Sequence, residues 1–274
     1  MKEMTLREIQ MLSLDILQDV HEFCVENHIK YTLQGGTLIG AIRHKGFIPW
    51  DDDVDIAMPR PDYERFIHTY RSTKGYKLFS RELPDNDVYL AYARVCDMVR
   101  TKVDYHNLIW NKESTGVWID VFPLDGVNEN EKAWMNRFQR IRKFARIGNF
   151  LRYSHRPFSL NRDITTKLRW LKSKIYSLLY SFDVVDKHIE LCKSVDFNQT
   201  QRYINCSLIN YGLHECHNKS VLDEVILVPF EDKFFFAMAG YDEALTEKYG
   251  DYMQLPPVEE QIHGHGGKYY WIKE

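Results

Sequence analysis

Gln34-Gly35-Gly36-Thr37, then Arg43-His44-Lys45-Gly46, then Trp50-Asp51-Asp52-Asp53-Val54-Asp55 is the stretch on which the reading of this chain turns. Its end alternates strictly, with Val54, Ile56 and Met58 on one side and Asp53, Asp55 and Ala57 on the other. A period of two is that of a half-buried β-strand. Carboxylates at i and i+2 on a strand leave the same face. Their like charges need bulk water, a proton on one of them, or a cation. The flanking Val54, Ile56 and Met58 imply a buried sheet, which favours a hard divalent cation on oxygen ligands: magnesium, with manganese as second choice.

Upstream, Gly35 and Gly36 read as a turn that lets backbone approach a ligand closely. Thr37 to His44 reads as a short helix whose first N–H groups can hold phosphate oxygens, with Arg43 and Lys45 adding positive charge beside them. His44 is a further candidate for donor contact. Phosphoryl transfer also needs a group to complete the metal site or orient the attacking hydroxyl. Asp120 fits, because it interrupts an apolar strand in Trp118-Ile119-Asp120-Val121-Phe122-Pro123-Leu124-Asp125, and a lone charge there needs a partner. Asp125, after Pro123, reads as a turn residue. Taken singly, a glycine pair is commonplace, an Asp-rich run is a solvated turn, and a lone strand aspartate is structural. Their order (strand, Gly-Gly, helix, Asp-x-Asp strand, later Asp-bearing strand) is specific to a nucleotidyltransferase-type site.

Around this stretch the pattern is that of a mixed α/β (α+β) domain. Thr5 and Glu8 form a capping box before a helix carrying Ile9, Ile16, Val20 and Phe23 at helical spacing. Tyr31–Gln34 reads as a strand. Pro61 opens a helix to about Tyr70. Strands are expected at Tyr76–Ser80, Val88–Met98 and Val117–Phe122. Residues 1–130 thus predict a catalytic core, a mixed sheet with flanking helices. Residues 131–182 predict a basic amphipathic helical insertion, broken around Pro157. From Lys132 to Lys174 it holds thirteen Lys or Arg and one acid, Asp163. Either it is a solvated helix face, or it contacts the cytoplasmic surface of a membrane, as would suit a lipid-linked acceptor. Residues 183–274, with a helix, a strand near Val225–Val228, a helix near Tyr241–Tyr249 and a Pro/His/Gly-rich tail, complete the active-site domain.

Composition supports a packed domain: 44% of the 274 residues are hydrophobic, enough for a large core. A net charge of −3 and the lack of a recognised motif speak against a nucleic-acid partner. The five cysteines, odd in number, read as reduced thiols, and the spacing of Cys206, Cys216 and His217 fits no standard zinc module. Glu8 and Asp15 interrupt what would be the apolar part of a signal peptide, and no apolar run reaches the roughly 18 residues of a span. The expected location is cytoplasmic, and the membrane-contact reading of the basic region would make it peripheral on the inner face of the membrane.

The stretch Gly35 to Met58 resembles the hallmark of the LicD family, whose animal relatives include the fukutin-related proteins: Gly36-Thr37-Leu38, Gly40, Arg43-His44, Gly46-Phe47, Pro49-Trp50-Asp51-Asp52-Asp53 and Asp55 all match. Arg94 with Thr101 is a second match, although lysine is common in place of Arg94. Ile119 to Asp125 is a third. Phe230-Glu231, Tyr241-Asp242, Tyr249 to Met253, Leu255-Pro256-Pro257 and His263 form a fourth. The resemblance implies a cytidine diphosphate-alcohol donor. Its phospho-alcohol, phosphocholine or ribitol phosphate in the family, passes to a sugar hydroxyl of a glycan such as teichoic acid, lipopolysaccharide or capsule. It makes Asp53, Asp55 and Asp120 the catalytic and metal-binding carboxylates. Gly35, Gly36, Thr37, Arg43, His44, Lys45 and Arg94 become the donor-binding set, with Asp51, Glu231 and His263 as further candidates. Two alternatives are transfer of a nucleoside monophosphate with release of pyrophosphate, and a non-catalytic regulatory subunit.

Overall fold

The computed structural model describes residues 1–84, 88–104, 115–154, 163–207, 214–262 and 267–272. In chain order the elements are β1 (Lys2–Glu3), α1 (Leu6–Glu26), β2 (Thr32–Leu33), α2 (Gly35–Ile39) running into a π-turn (Gly40–His44), β3 (Asp55–Pro59), α3 (Arg60–Thr69), β4 (Lys77–Phe79), β5 (Ala93–Cys96), β6 (Thr101–Asp104) and β7 (Trp118–Gly126). They continue with α4 (Glu131–Ser154), α5 (Ile164–Leu179), α6 (Asp183–Lys193), β8 (Arg202–Ile204), β9 (Cys216–Asn218), β10 (Val225–Phe230), β11 (Lys233–Met238), α7 (Tyr241–Tyr249) and β12 (Lys268–Trp271).

The central sheet has the order β2-β3-β7-β5-β4, with β8 and β9 added beside the end of β7. β3 and β7 are parallel and the other pairs antiparallel, so this is the expected mixed sheet with helices. β7 is its axis. All nine of its residues are buried, with β3 and β5 on its two sides and α1 and α3 packed against it. A smaller sheet, β1-β12-β6, and the β10–β11 hairpin complete the β structure. The hairpin is tied to β2 by Met238 N–H donating to the Thr32 hydroxyl at 2.8 Å.

Several expectations change. β3 starts at Asp55, and Ile56, Ala57 and Met58 are all fully buried, so the strand is covered on both faces, not one. The diglycine does not form a separate turn but begins α2 directly, with Gly35 at φ 55°. The strand expected over Val88–Met98 contracts to β5. β6, not among the expected strands, buries Thr101 and Val103, exposes Lys102 between them, and finds its partner far away in β12. Asp125 is not a turn residue: β7 runs past Pro123, and the carboxylate is neutralised by Arg60, Nε to Oδ1 at 2.7 Å and Nη2 to Oδ2 at 3.1 Å.

The basic region is helical, but α4 is no free amphipathic rod. Trp134, Phe138 and Ile141 share a core with Cys192 and Cys206, while Ile147 and Leu151 pack with Val184, Val185 and Ile189 of α6. The break around Pro157 lies outside the described residues. No helix among the described residues is long and apolar enough to cross a membrane.

Candidate active site

Three neighbouring strands set the charged residues in one row. Asp55 of β3 lies opposite Asp120 of β7, and Arg94 of β5 lies opposite Asp120 on the other side. Residues opposite one another in a sheet leave the same face. The register is pinned where the acidic run enters the sheet, by Asp120 N–H donating to Val54 O at 2.9 Å. Asp55 has both backbone groups satisfied by the diglycine segment. Its carbonyl accepts from Gln34 N–H at 2.9 Å, and its N–H donates to the hydroxyl oxygen of Thr37 at 2.9 Å. Buried Thr37 therefore holds the strand that carries Asp55.

Asp51, Asp52 and Asp53 each bring an oxygen within 4.8 Å of the others. Asp55 stands beside them. Burial first, and then the charges of Asp53, Asp120 and Asp51, hold its carboxyl group well above the usual carboxylate range, with Lys248 pulling the other way. The structure thus gathers Asp53, Asp55 and Asp120 and adds Asp51 and Asp52 to them. A donor set made only of carboxylate oxygens, mutually repelling when bare, fits a hard divalent cation. Asp51, Asp52, Asp53 and Asp55 could hold magnesium or manganese, with Asp120 beside them and clamped by Arg94.

The diglycine touches the same cluster. A Cβ on Gly36 would lie 2.6 Å from Asp51 Oδ2, and one on Gly35 would lie 3.7 Å from Asp55 Oδ2. Gly36→Ala should therefore push the Asp51 carboxylate aside and lower turnover by about a hundredfold, the cost of a misplacement of order 1 Å. Steady-state rates beside a circular dichroism spectrum check this. Unchanged rates would separate Gly36 from the site.

The cations expected at a phosphate are engaged within the fold. Arg94 is buried and clamps Asp120, Nε to Oδ1 at 2.5 Å and Nη2 to Oδ2 at 3.3 Å, with its guanidinium 4.3 Å from the Trp118 ring centroid. Burial works against its charge, but the pull of Asp120 and Tyr92 prevails and its pKa is raised. Arg43 donates to the carbonyls of Tyr252 at 2.7 Å and Gln254 at 3.1 Å, tying the C-terminal segment to the π-turn. Burial lowers its pKa, and burial and Arg43 together lower that of His44. Lys45, at φ 60°, closes the π-turn and donates to Ile42 O at 3.0 Å.

Glu231 buckles this loop from outside. It pairs with Arg7 at 2.5 Å and accepts from Phe47 N–H at 3.1 Å, and its pKa is lowered chiefly by the Arg7 hydrogen bond. His263 lies outside the described residues.

Sequence reasoning missed Lys248. Its side chain is buried against the fold from α7, paired with Glu215, and its charge reaches Asp55. Glu215 in turn accepts from Gln34 Nε2 at 3.4 Å. The sequence places a helix near Tyr241–Tyr249, but nothing in its periodicity singles out that lysine.

The model of the LicD/FKTN/FKRP nucleotidyltransferase domain matches residues 28–159, a span that contains Asp51, Asp52, Asp53, Asp55 and Asp120. The lipopolysaccharide cholinephosphotransferase LicD of Haemophilus influenzae is 34% identical over 95% of this chain and 96% of its own length. An uncharacterised protein of Rickettsia typhi is 30% identical over 66% of this chain and 52% of its own. One of Rickettsia prowazekii is 43% identical over 26% and 30% respectively.

Proposed function

Starting from the fact that the chain belongs to the LicD/FKTN/FKRP nucleotidyltransferase-domain family and is a LicD-type transferase, we propose that it moves phosphocholine from cytidine diphosphocholine to a sugar hydroxyl of a lipopolysaccharide-type glycan. The carrying observation is the register that sets Asp55 beside Asp120 next to the Asp51–Asp53 cluster and the diglycine. Near full-length similarity to the Haemophilus enzyme supports the choice of cargo and acceptor.

In this reading the acceptor oxygen attacks the phosphorus that bears choline. The bond from that phosphorus to the bridging oxygen breaks, and cytidine monophosphate leaves with the electron pair. A bound divalent cation would neutralise charge on the donor diphosphate. Asp51, Asp52, Asp53 and Asp55 hold that end of the site. Asp120, aimed by Arg94, orients the acceptor hydroxyl and takes its proton. In a loose phosphoryl-transfer transition state, positioning carries most of the rate. Thr37 and Gln34 keep Asp55 in line.

Incubation with cytidine diphosphocholine, magnesium and a glycan acceptor should release cytidine monophosphate, and a chelator should stop it. Pyrophosphate release from cytidine triphosphate instead would support nucleotidyl transfer. Neither product, with the metal present, would overturn the proposal.

A further inference from the structure

α5 is packed inside out. Its polar and aromatic face meets α4: Ser173 is fully buried, Tyr176 stacks on Phe150 at 5.0 Å, and Arg169 lies 5.4 Å from the Tyr153 ring centroid. The opposite face carries Ile164, Leu168, Leu171, Ile175 and Leu178, spaced four and three residues apart, so they form one stripe along the helix. Their exposures run from 49% for Ile175 to 86% for Leu178. An ordinary surface helix turns such a stripe to the core. Lysines border it, Lys167 and Lys174 on one side and Lys172 on the other.

We propose that this stripe and its lysines dock the enzyme on an anionic lipid bilayer, with α5 lying in the plane of the interface. The apolar residues supply burial among acyl chains, and the lysines meet the headgroup phosphates. The border charges argue against a second copy of the chain. In either orientation, a helix laid on its equivalent through this stripe sets lysine against lysine. α4 adds exposed Arg140, Lys143 and Arg146 nearby in sequence, so the region's charge suits a negative surface. Docking through α5 is independent of the donor chemistry and concerns only where the enzyme meets its acceptor.

The test is co-sedimentation of the full chain with vesicles of phosphatidylglycerol and phosphatidylcholine in equal parts, beside vesicles of phosphatidylcholine alone. Binding is expected to the anionic vesicles at low salt and to be much weaker to the neutral ones. Joint Leu168→Gln and Leu171→Gln changes should weaken it by at least about tenfold. Lys167→Gln and Lys174→Gln should each weaken it about fivefold. Leu168 and Leu171 are exposed and Lys167 and Lys174 half-buried, and α5, which packs on α4, carries none of the acidic cluster. Helix content and cytidine monophosphate release with a soluble acceptor should therefore stay unchanged, which keeps loss of docking distinct from loss of catalysis. Failure of the unaltered protein to sediment, or full binding by the Leu168→Gln, Leu171→Gln variant, would overturn the proposal. So would a dimer in light scattering that this variant splits, since the stripe would then be a self-interface.

Discussion

Asp55→Asn is expected to reduce transfer by at least about a thousandfold, the scale of losing a preorganised electrostatic contact, and also to raise the melting temperature of the metal-free protein. The two effects share one cause. The Asp55 carboxyl group is driven upward by burial and by Asp53, Asp120 and Asp51. The folded chain therefore holds that proton more tightly than the unfolded chain. As pH rises from the ordinary carboxylate range through the raised folded value, ionisation costs the native state stability, and above that value the cost is complete. Asparagine keeps the shape and removes the charge, for a gain on the order of 1–3 kcal/mol at the effective dielectric of such sites. The gain should fade toward acid pH. Magnesium should stabilise the unaltered protein more than the variant. Thermal melts with chelator and with magnesium, across pH, check the set. A variant less stable than its parent in chelator at neutral pH would refute this account of the cluster.

Asp125→Ala should have the largest effect on stability, a loss of about 3–5 kcal/mol, because it leaves the buried Arg60 guanidinium with half its partners. Arg60 sits between Asp125 and Glu82, the latter at 3.0 Å, and Glu82 is shared with Lys193 of α6, also at 3.0 Å. This network joins α3, β7 and α6. Removing both charges, as in Arg60→Met with Asp125→Leu, should recover much of the loss, since a paired buried charge adds little over a well-packed apolar pair. Urea titration reads the effect as a lower midpoint at constant slope. Asp125 lies on the face of β7 opposite Asp120, so activity per folded molecule should hold. An Asp125→Ala midpoint close to that of the parent would show the network to be dispensable.

What could be read in the chain follows the physical range of each signal. The capping box at Thr5 and Glu8, the alternation from Asp53 to Met58 and the apolar run around Asp120 are local patterns, and each lies on the helix or strand it indicated, although β3 begins at Asp55 and is covered on both faces. The family of the chain was legible because Gly35 to Met58 is dense in matching residues. Pairings between distant segments were not legible. The partner of Arg94, the anchoring of Arg43 on Tyr252 and Gln254 carbonyls, and the approach of Lys248 to Asp55 depend on which strands and helices become neighbours. Asp125 was misread because Pro123 signals a turn locally, while burial against Arg60 is decided elsewhere. The stripe on α5 has ordinary helical spacing, and only the packed structure shows that it faces outward.

The parallel pairing of β3 with β7 also bears on how the chain folds. The two strands are separated in sequence by a helix and three further strands, so their union is a non-local step that sheet assembly reaches slowly. Residues 55 and 120 do not repel each other at close range until that closure. The electrostatic burden of the reaction centre thus falls on the assembled sheet, and an ion that relieves it acts on the chain only once these two strands have met.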